Sequence, residues 1–186
     1  MALLDDILQF NRKFVEERRF EPYQTSKFPD KKMVIFTCMD TRLVELLPKA
    51  MNLRNGDVKI VKNAGATLTH PFDSTMRSIL VAIYELGAEE VAVIGHHRCG
   101  MAGLNPEATI GKMKERGVAE EVLDTLEHSG LSVAQWLEGF QSVEENVRNS
   151  VETIRRHPLL PEGVPVHGLV IDPDTGKLDL VVRGQA

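Results

Sequence analysis

Met33-Val34-Ile35-Phe36-Thr37 is a short, nearly continuous apolar run, and Cys38-Met39-Asp40-Thr41-Arg42 follows it directly. A strand buried on both faces of a parallel sheet reads this way. Val91-Ala92-Val93-Ile94 has the same character, and Val58-Lys59-Ile60-Val61 and Gly168-Leu169-Val170-Ile171 are further strand candidates. Helical patterns lie between them. Asp73 can cap a helix whose inner face is Met76, Ile79, Leu80 and Ile83, ending near Gly87. Val143, Val147, Val151 and Ile154 mark another, stopped by Pro158. Strands alternating with helices predict an α/β fold with right-handed crossovers. Asp172-Pro173-Asp174-Thr175-Gly176 reads as a hairpin turn. The last strand, Leu178 to Val182, is therefore expected to be an antiparallel C-terminal edge strand.

Upstream, Leu3, Leu4, Ile7, Leu8, Phe14 and Val15 recur at helical spacing. Asp5 and Asp6 near the start, with Arg18 and Arg19 near the end, suit the helix dipole. Glu21 to Lys32, with Pro22 and Pro29, reads as a loop that detaches this helix. Residues 1–28 thus form an N-terminal helical arm that packs either on a partner subunit or on its own domain. From Leu104 to Gln141, charged helical stretches are broken by Gly117, Gly130 and Gly139. They predict an excursion of short helices over one end of the sheet.

The chain has 186 residues, 42% of them hydrophobic, which fits one domain spanning 1–186 with a real core. Lys+Arg 22 against Asp+Glu 27 gives a net charge of −5, without the basic stripe of a nucleic-acid binder. Two cysteines rule out a disulfide scaffold but leave room for a metal site or a reactive thiol. Met1-Ala2-Leu3-Leu4-Asp5-Asp6 lacks the basic and apolar regions of a signal peptide. No apolar run approaches the roughly 20 residues that span a bilayer. The expected location is the cytoplasm, with no membrane or nucleic-acid partner.

Both cysteines lie just past strand candidates, where open α/β sheets bind their ligands. Cys38, Cys99 and an imidazole make a Cys₂His set suited to zinc. His96 and Cys99 have two residues between them and can chelate from one turn; His97, with one, fits less well. Three protein ligands leave a fourth position open, which is the catalytic pattern, and Asp40 is the nearby candidate to close it. Taken singly, each residue has a plainer use. A free cysteine is often a small buried hydrophobe, and Asp40 and Arg42 could form an ordinary surface pair. A cysteine phosphatase would need a longer loop between Cys38 and Arg42, without an acidic residue in it. A redox pair lacks the Cys-x-x-Cys motif.

Together, Cys38-Met39-Asp40-Thr41-Arg42, Lys62-Asn63-Ala64-Gly65 and Gly95-His96-His97-Arg98-Cys99-Gly100 resemble the β-class carbonic anhydrases. The likeness runs from about Lys31 to the C-terminal strand, nearest to the shorter bacterial and mycobacterial members. It implies a mainly parallel central sheet flanked by helices, with Zn²⁺ bound by Cys38, His96 and Cys99. Asp40 and Arg42 would form a catalytic dyad, with Asp40 as fourth ligand in a closed form. The implied reaction is reversible hydration of CO₂ to bicarbonate and a proton by zinc-bound hydroxide. Asn63, Ala64, Gly65 and Gly100 would shape the substrate pocket. The resemblance also implies a homodimer or tetramer, with the N-terminal helix reaching across a partner. Thr41 stands where many members have Ser, and Lys62 where Arg is commoner. Gln24 is the upstream candidate for a substrate-side glutamine, and His70 for a proton shuttle, against a plain solvated loop histidine. Two alternatives share the motifs. One is a zinc hydrolase of another small heteroallene such as carbon disulfide. The other is a non-catalytic zinc-stabilised domain, which would have no need of Arg42.

Overall fold

The computed structural model describes residues 2–185; Met1 and Ala186, the ends of the expected domain, lie outside the described residues. The run at Met33 forms strand β1 (Met33–Cys38), buried from Val34 onward. It pairs in parallel with β2 (Val58–Asn63) on one side and with β3 (Glu90–His96) on the other. β3 pairs in parallel with β4 (Val166–Ile171), which pairs antiparallel with β5 (Leu178–Val182). The order across the sheet is β2-β1-β3-β4-β5, so the expected antiparallel strand does close one edge. Its turn is ordered by Asp172, whose Oδ1 accepts the N–H groups of Asp174 and Thr175 at 2.8 and 3.0 Å.

Seven α-helices accompany the strands among the described residues: α1 (Leu3–Glu16), α2 (Leu43–Ala50), α3 (Ser74–Tyr84), α4 (Pro106–Glu115), α5 (Glu120–His128), α6 (Val133–Trp136) and α7 (Val143–Arg155). Asp73 caps α3 as expected, accepting the Met76 N–H at 2.8 Å, and Ser142 caps α7. One face of the sheet packs Val34, Phe36, Val91 and Val93 against Met76 and Ile79 of α3 and Val147, Val151 and Ile154 of α7. The other packs Ile35, Ala92, Ile94 and Ile171 against Leu43 and Leu47 of α2. Each large apolar side chain so buried contributes roughly 1.5–3 kcal/mol.

The close seat of α7 depends on glycine in the two strands beneath it. A Cβ on Gly95 would lie 2.8 Å from Cγ2 of both Val143 and Val147. One on Gly168 would lie 2.7 Å from Val147 Cγ1.

Periodicity does not predict α2. It is short, starts directly after Arg42 and contains Pro48, which removes an intrahelical donor. Its end is nevertheless closed by Met51 N–H on Leu47 O at 3.1 Å and Leu53 N–H on Pro48 O at 2.8 Å. The loop from Glu21 to Lys32 includes a 3₁₀ turn at Glu21–Tyr23. The excursion from Leu104 to Gln141 is built of α4, α5 and α6. Its base is clasped by Gly103 N–H on Phe140 O at 2.8 Å and Phe140 N–H on Met101 O at 3.2 Å.

α1 buries no residue, and Leu4, Ile7 and Leu8 are 62%, 54% and 50% exposed. Among the described residues, no helix is long and apolar enough to cross a membrane.

Candidate metal centre

Parallel register gathers the strand ends. Cys38 ends β1 in register with Asn63 of β2, and His96 ends β3 in register with Ile171 of β4. The turn after His96 then brings Cys99 back. The donor atoms of Cys38, His96 and Cys99 lie within 4.8 Å of one another, and all three residues are buried. The two Sγ atoms are 3.9 Å apart.

His96 Nδ1 lies 2.9 Å from the His97 carbonyl oxygen. A carbonyl only accepts, so Nδ1 carries the proton and the lone pair is on Nε2. Nε2 is buried and has no hydrogen-bond partner. Such an orphan costs about 1–3 kcal/mol, and a metal ion removes that cost. Two thiolates and one imidazole are a donor set that fits Zn²⁺. The neighbouring His97 is placed differently: its backbone N–H donates to Ile171 O at 3.1 Å, and its ring is outside the donor cluster.

Burial pushes the Cys38 thiol up, but His96 beside it and the Gly65 and Asp40 backbone outweigh this and bring it down to about 7. Burial raises the Cys99 thiol. Cys38 is thus the readier of the two to ionise.

Asp40 and Arg42 meet in a two-pronged pair. Arg42 Nε donates to Asp40 Oδ1 at 2.9 Å and Nη2 to Oδ2 at 2.8 Å. The Arg42 backbone N–H adds a third bond to Oδ1 at 2.9 Å. Arg42 holds the Asp40 carboxyl well below the usual carboxylate range, against the opposing effect of burial. Asp40 Oδ2 lies 3.6 Å from His96 Nε2, so the carboxylate borders the donor cluster while turned to Arg42.

The Asn63-Ala64-Gly65 segment lines the same end of the sheet. Gly65 donates its N–H to Cys38 Sγ at 3.3 Å. Its φ is +83°, and a Cβ there would lie 2.9 Å from Phe140 Cε1, so both conformation and space demand glycine. Asn63 braces the loop, donating Nδ2 to Thr67 O at 2.8 Å and accepting the Thr67 N–H at 3.2 Å. Gly100 is exposed, with open space where a Cβ would stand.

Two residues that motif reading passed over hold this loop from α7. Asn146 Nδ2 donates to Gly65 O at 3.0 Å, and Ser150 Oγ donates to Ala66 O at 3.2 Å. Both are buried. The signal for them was polar residues inside the apolar stripe of Val143, Val147, Val151 and Ile154. His70 is exposed, and its Nδ1 accepts the Phe72 N–H at 3.0 Å; Gln24 is exposed just after the 3₁₀ turn.

The carbonic anhydrase family profile matches residues 33–178. The chain is 64% identical over 184 residues to a Bacillus subtilis (strain 168) protein named "Putative carbonic anhydrase YtiB", covering 99% of this chain and 98% of that one. It is 28% identical over 157 residues to the carbon disulfide hydrolase of Acidithiobacillus thiooxidans, covering 80% and 76% respectively. The crystal structure of β-carbonic anhydrase isoform I from Trichomonas vaginalis superposes with a TM-score of 0.86 at 33% identity, covering 99% of this chain and 100% of that one. With a matching profile over most of its length, a relative this near and a solved structure this similar, the chain belongs to the β-carbonic anhydrase family.

Proposed function

We propose that this chain catalyses the reversible hydration of CO₂ to bicarbonate and a proton, with one Zn²⁺ held by Cys38, His96 and Cys99. The observation that carries the reading is the buried, unpartnered Nε2 of His96, converging with two thiols beside a carboxylate fixed by arginine. The bound metal supplies the Lewis acidity that makes water nucleophilic near neutral pH.

The chain's own groups do the rest. Asp40, ionised and 3.6 Å from His96 Nε2 through Oδ2, accepts a hydrogen bond from the attacking water and so aims its oxygen at the carbon of CO₂. Arg42 fixes that carboxylate by two parallel bonds and keeps it from becoming a fourth ligand. Asn63, Ala64, Gly65 and Gly100 border the substrate position. Met101 and Phe140 pack against the cluster that contains Cys38 and Cys99, giving an apolar wall suited to a small neutral molecule. The protein works in the cytoplasm as a homodimer or larger homo-oligomer, in which the apolar side of α1 is covered by a partner copy.

Metal analysis with stopped-flow CO₂ hydration tests the reading. One zinc per chain and zinc-dependent hydration are expected. Faster release of hydrogen sulfide from carbon disulfide than of protons during CO₂ hydration would replace it with heteroallene hydrolysis. A zinc-loaded protein inert to both substrates would leave a zinc-stabilised domain.

A further inference from the structure

We propose that Arg98 is a positioning residue for the Arg42–Asp40 pair, anchored from the β4–β5 hairpin by Asp174. The inference rests on the reading of Asp40 and Arg42 as the catalytic dyad. Arg98 lies in the turn between His96 and Cys99, with φ +54°. Glycine adopts that conformation freely, whereas other residues adopt it uncommonly.

The left-handed turn does two things at once. It aims the Arg98 carbonyl at Arg42, whose Nη2 donates to it at 3.1 Å. The same Nη2 donates to Asp40 Oδ2 at 2.8 Å, while Nε holds Oδ1 at 2.9 Å. Two carboxylate oxygens alone would let the pair swing as a unit. The third acceptor, on a different segment, fixes the plane of the guanidinium. On the other side, Arg98 Nη2 reaches Asp174 Oδ2 at 2.7 Å and Asp172 Oδ2 at 3.5 Å. Asp172 meanwhile orders the hairpin turn by accepting the N–H groups of Asp174 and Thr175. The hairpin is therefore a firm mooring, and the His97 N–H on Ile171 O ties the same turn to the end of β4.

The Arg98 and Asp174 side chains are 53% and 68% exposed, so the pair adds little to stability. Its effect is on geometry. A half-exposed pair shifts an equilibrium by a few-fold at most.

The test uses the zinc-loaded protein and the variants Arg98→Ala, Asp174→Asn and Asp174→Glu. Stopped-flow CO₂ hydration gives kcat and KM, and NMR gives the solvent exchange rate of the Arg42 Nε–H. Arg98→Ala and Asp174→Asn are expected to lower kcat about threefold to fivefold with KM and zinc content unchanged. Exchange at Arg42 should accelerate in both, and Asp174→Glu should restore both readings. Wild-type kcat and exchange in Arg98→Ala and Asp174→Asn, with Arg42→Ala inactive, would overturn this inference and leave the dyad standing. A loss of kcat accompanied by lost zinc, or without faster exchange, would likewise overturn it. An active Arg42→Ala would overturn the dyad and this inference with it.

Discussion

Arg42 donates a hydrogen bond of 3.1 Å to the backbone carbonyl of Arg98 with the same nitrogen that holds Asp40 Oδ2 at 2.8 Å. One guanidinium thus joins the end of β1 to the turn that follows β3. Its planar fork is required, because Nε must reach Asp40 Oδ1 at the same time. Lysine offers a point charge with no fork. Arg42→Lys is therefore expected to keep its zinc and lose about tenfold to a hundredfold in kcat/KM for CO₂, the scale of a lost charge-assisted bond. Metal content and stopped-flow hydration measure the two halves; a variant within twofold of wild type would contradict the argument.

The donor cluster makes a separate prediction about metal. Cys38→Ser and Cys99→Ser should each lose most of their zinc in emission analysis, since the proposed site would then offer Zn²⁺ two protein ligands in place of three. His97→Ala should keep it, because that ring is outside the cluster. Full occupancy in either serine variant would show the metal to be held elsewhere.

The sheet was legible because β1 and β3 are buried on both faces, and continuous apolar runs report that directly. The hairpin was legible because its turn residues act locally. α2 was hidden by Pro48, which reads as a breaker although the helix is short enough to close around it. The thiol and imidazole donors stood out through spacing at strand ends. Arg98, Asn146 and Ser150 did not, because each acts across more than 50 residues of chain, on Arg42, Gly65 and Ala66 respectively. No local pattern encodes such a partner. A polar residue inside an apolar helical stripe, as at Asn146, is the nearest thing to a clue.

The exposed apolar side of α1 predicts association. Ile7 and Leu8 are half exposed on a helix with no buried residue, and such a stripe marks a surface that meets a partner. Ile7→Glu with Leu8→Glu should shift the protein toward monomer in light scattering, and deletion of residues 1–28 should cause dissociation or insolubility. A soluble oligomer unchanged by either would assign assembly to another surface.

Gly95 predicts a packing cost next to the donor cluster. A Cβ there meets two valine methyls at 2.8 Å, and valine side chains are stiff. α7 must move, and with it the Asn146 brace on Gly65. Overpacking of this kind costs about 1–3 kcal/mol. Gly95→Ala should lower Tm by roughly 2–4 °C for each kcal/mol in a chain of this size. An unchanged Tm would mean that α7 is seated less firmly than its contacts indicate.

Away from the donor cluster, Asp57 ties stability to pH. Asp57 sits in the turn before β2, where its Oδ2 accepts the Arg54 N–H at 2.9 Å and lies 3.2 Å from Lys31 Nζ. The Arg54 N–H first, and Lys31 after it, hold the carboxyl below its ordinary value against the effect of burial. The folded state therefore favours the ionised form. That contribution is complete above the unfolded carboxyl value of about 3.9 and is lost as pH falls through the lower folded value. Asp57→Asn keeps an oxygen for the Arg54 N–H but removes the charge. Wild type should melt above the variant by a constant margin from about pH 5 to about pH 7, and the margin should close as pH falls below about 4. Added salt should narrow it, since Lys31 is partly exposed and its attraction is screened. Circular dichroism melts across this range measure the margin. A margin that widens in acid would reverse the sign, and a variant identical to wild type at every pH would show that the charge on Asp57 does not stabilise the fold.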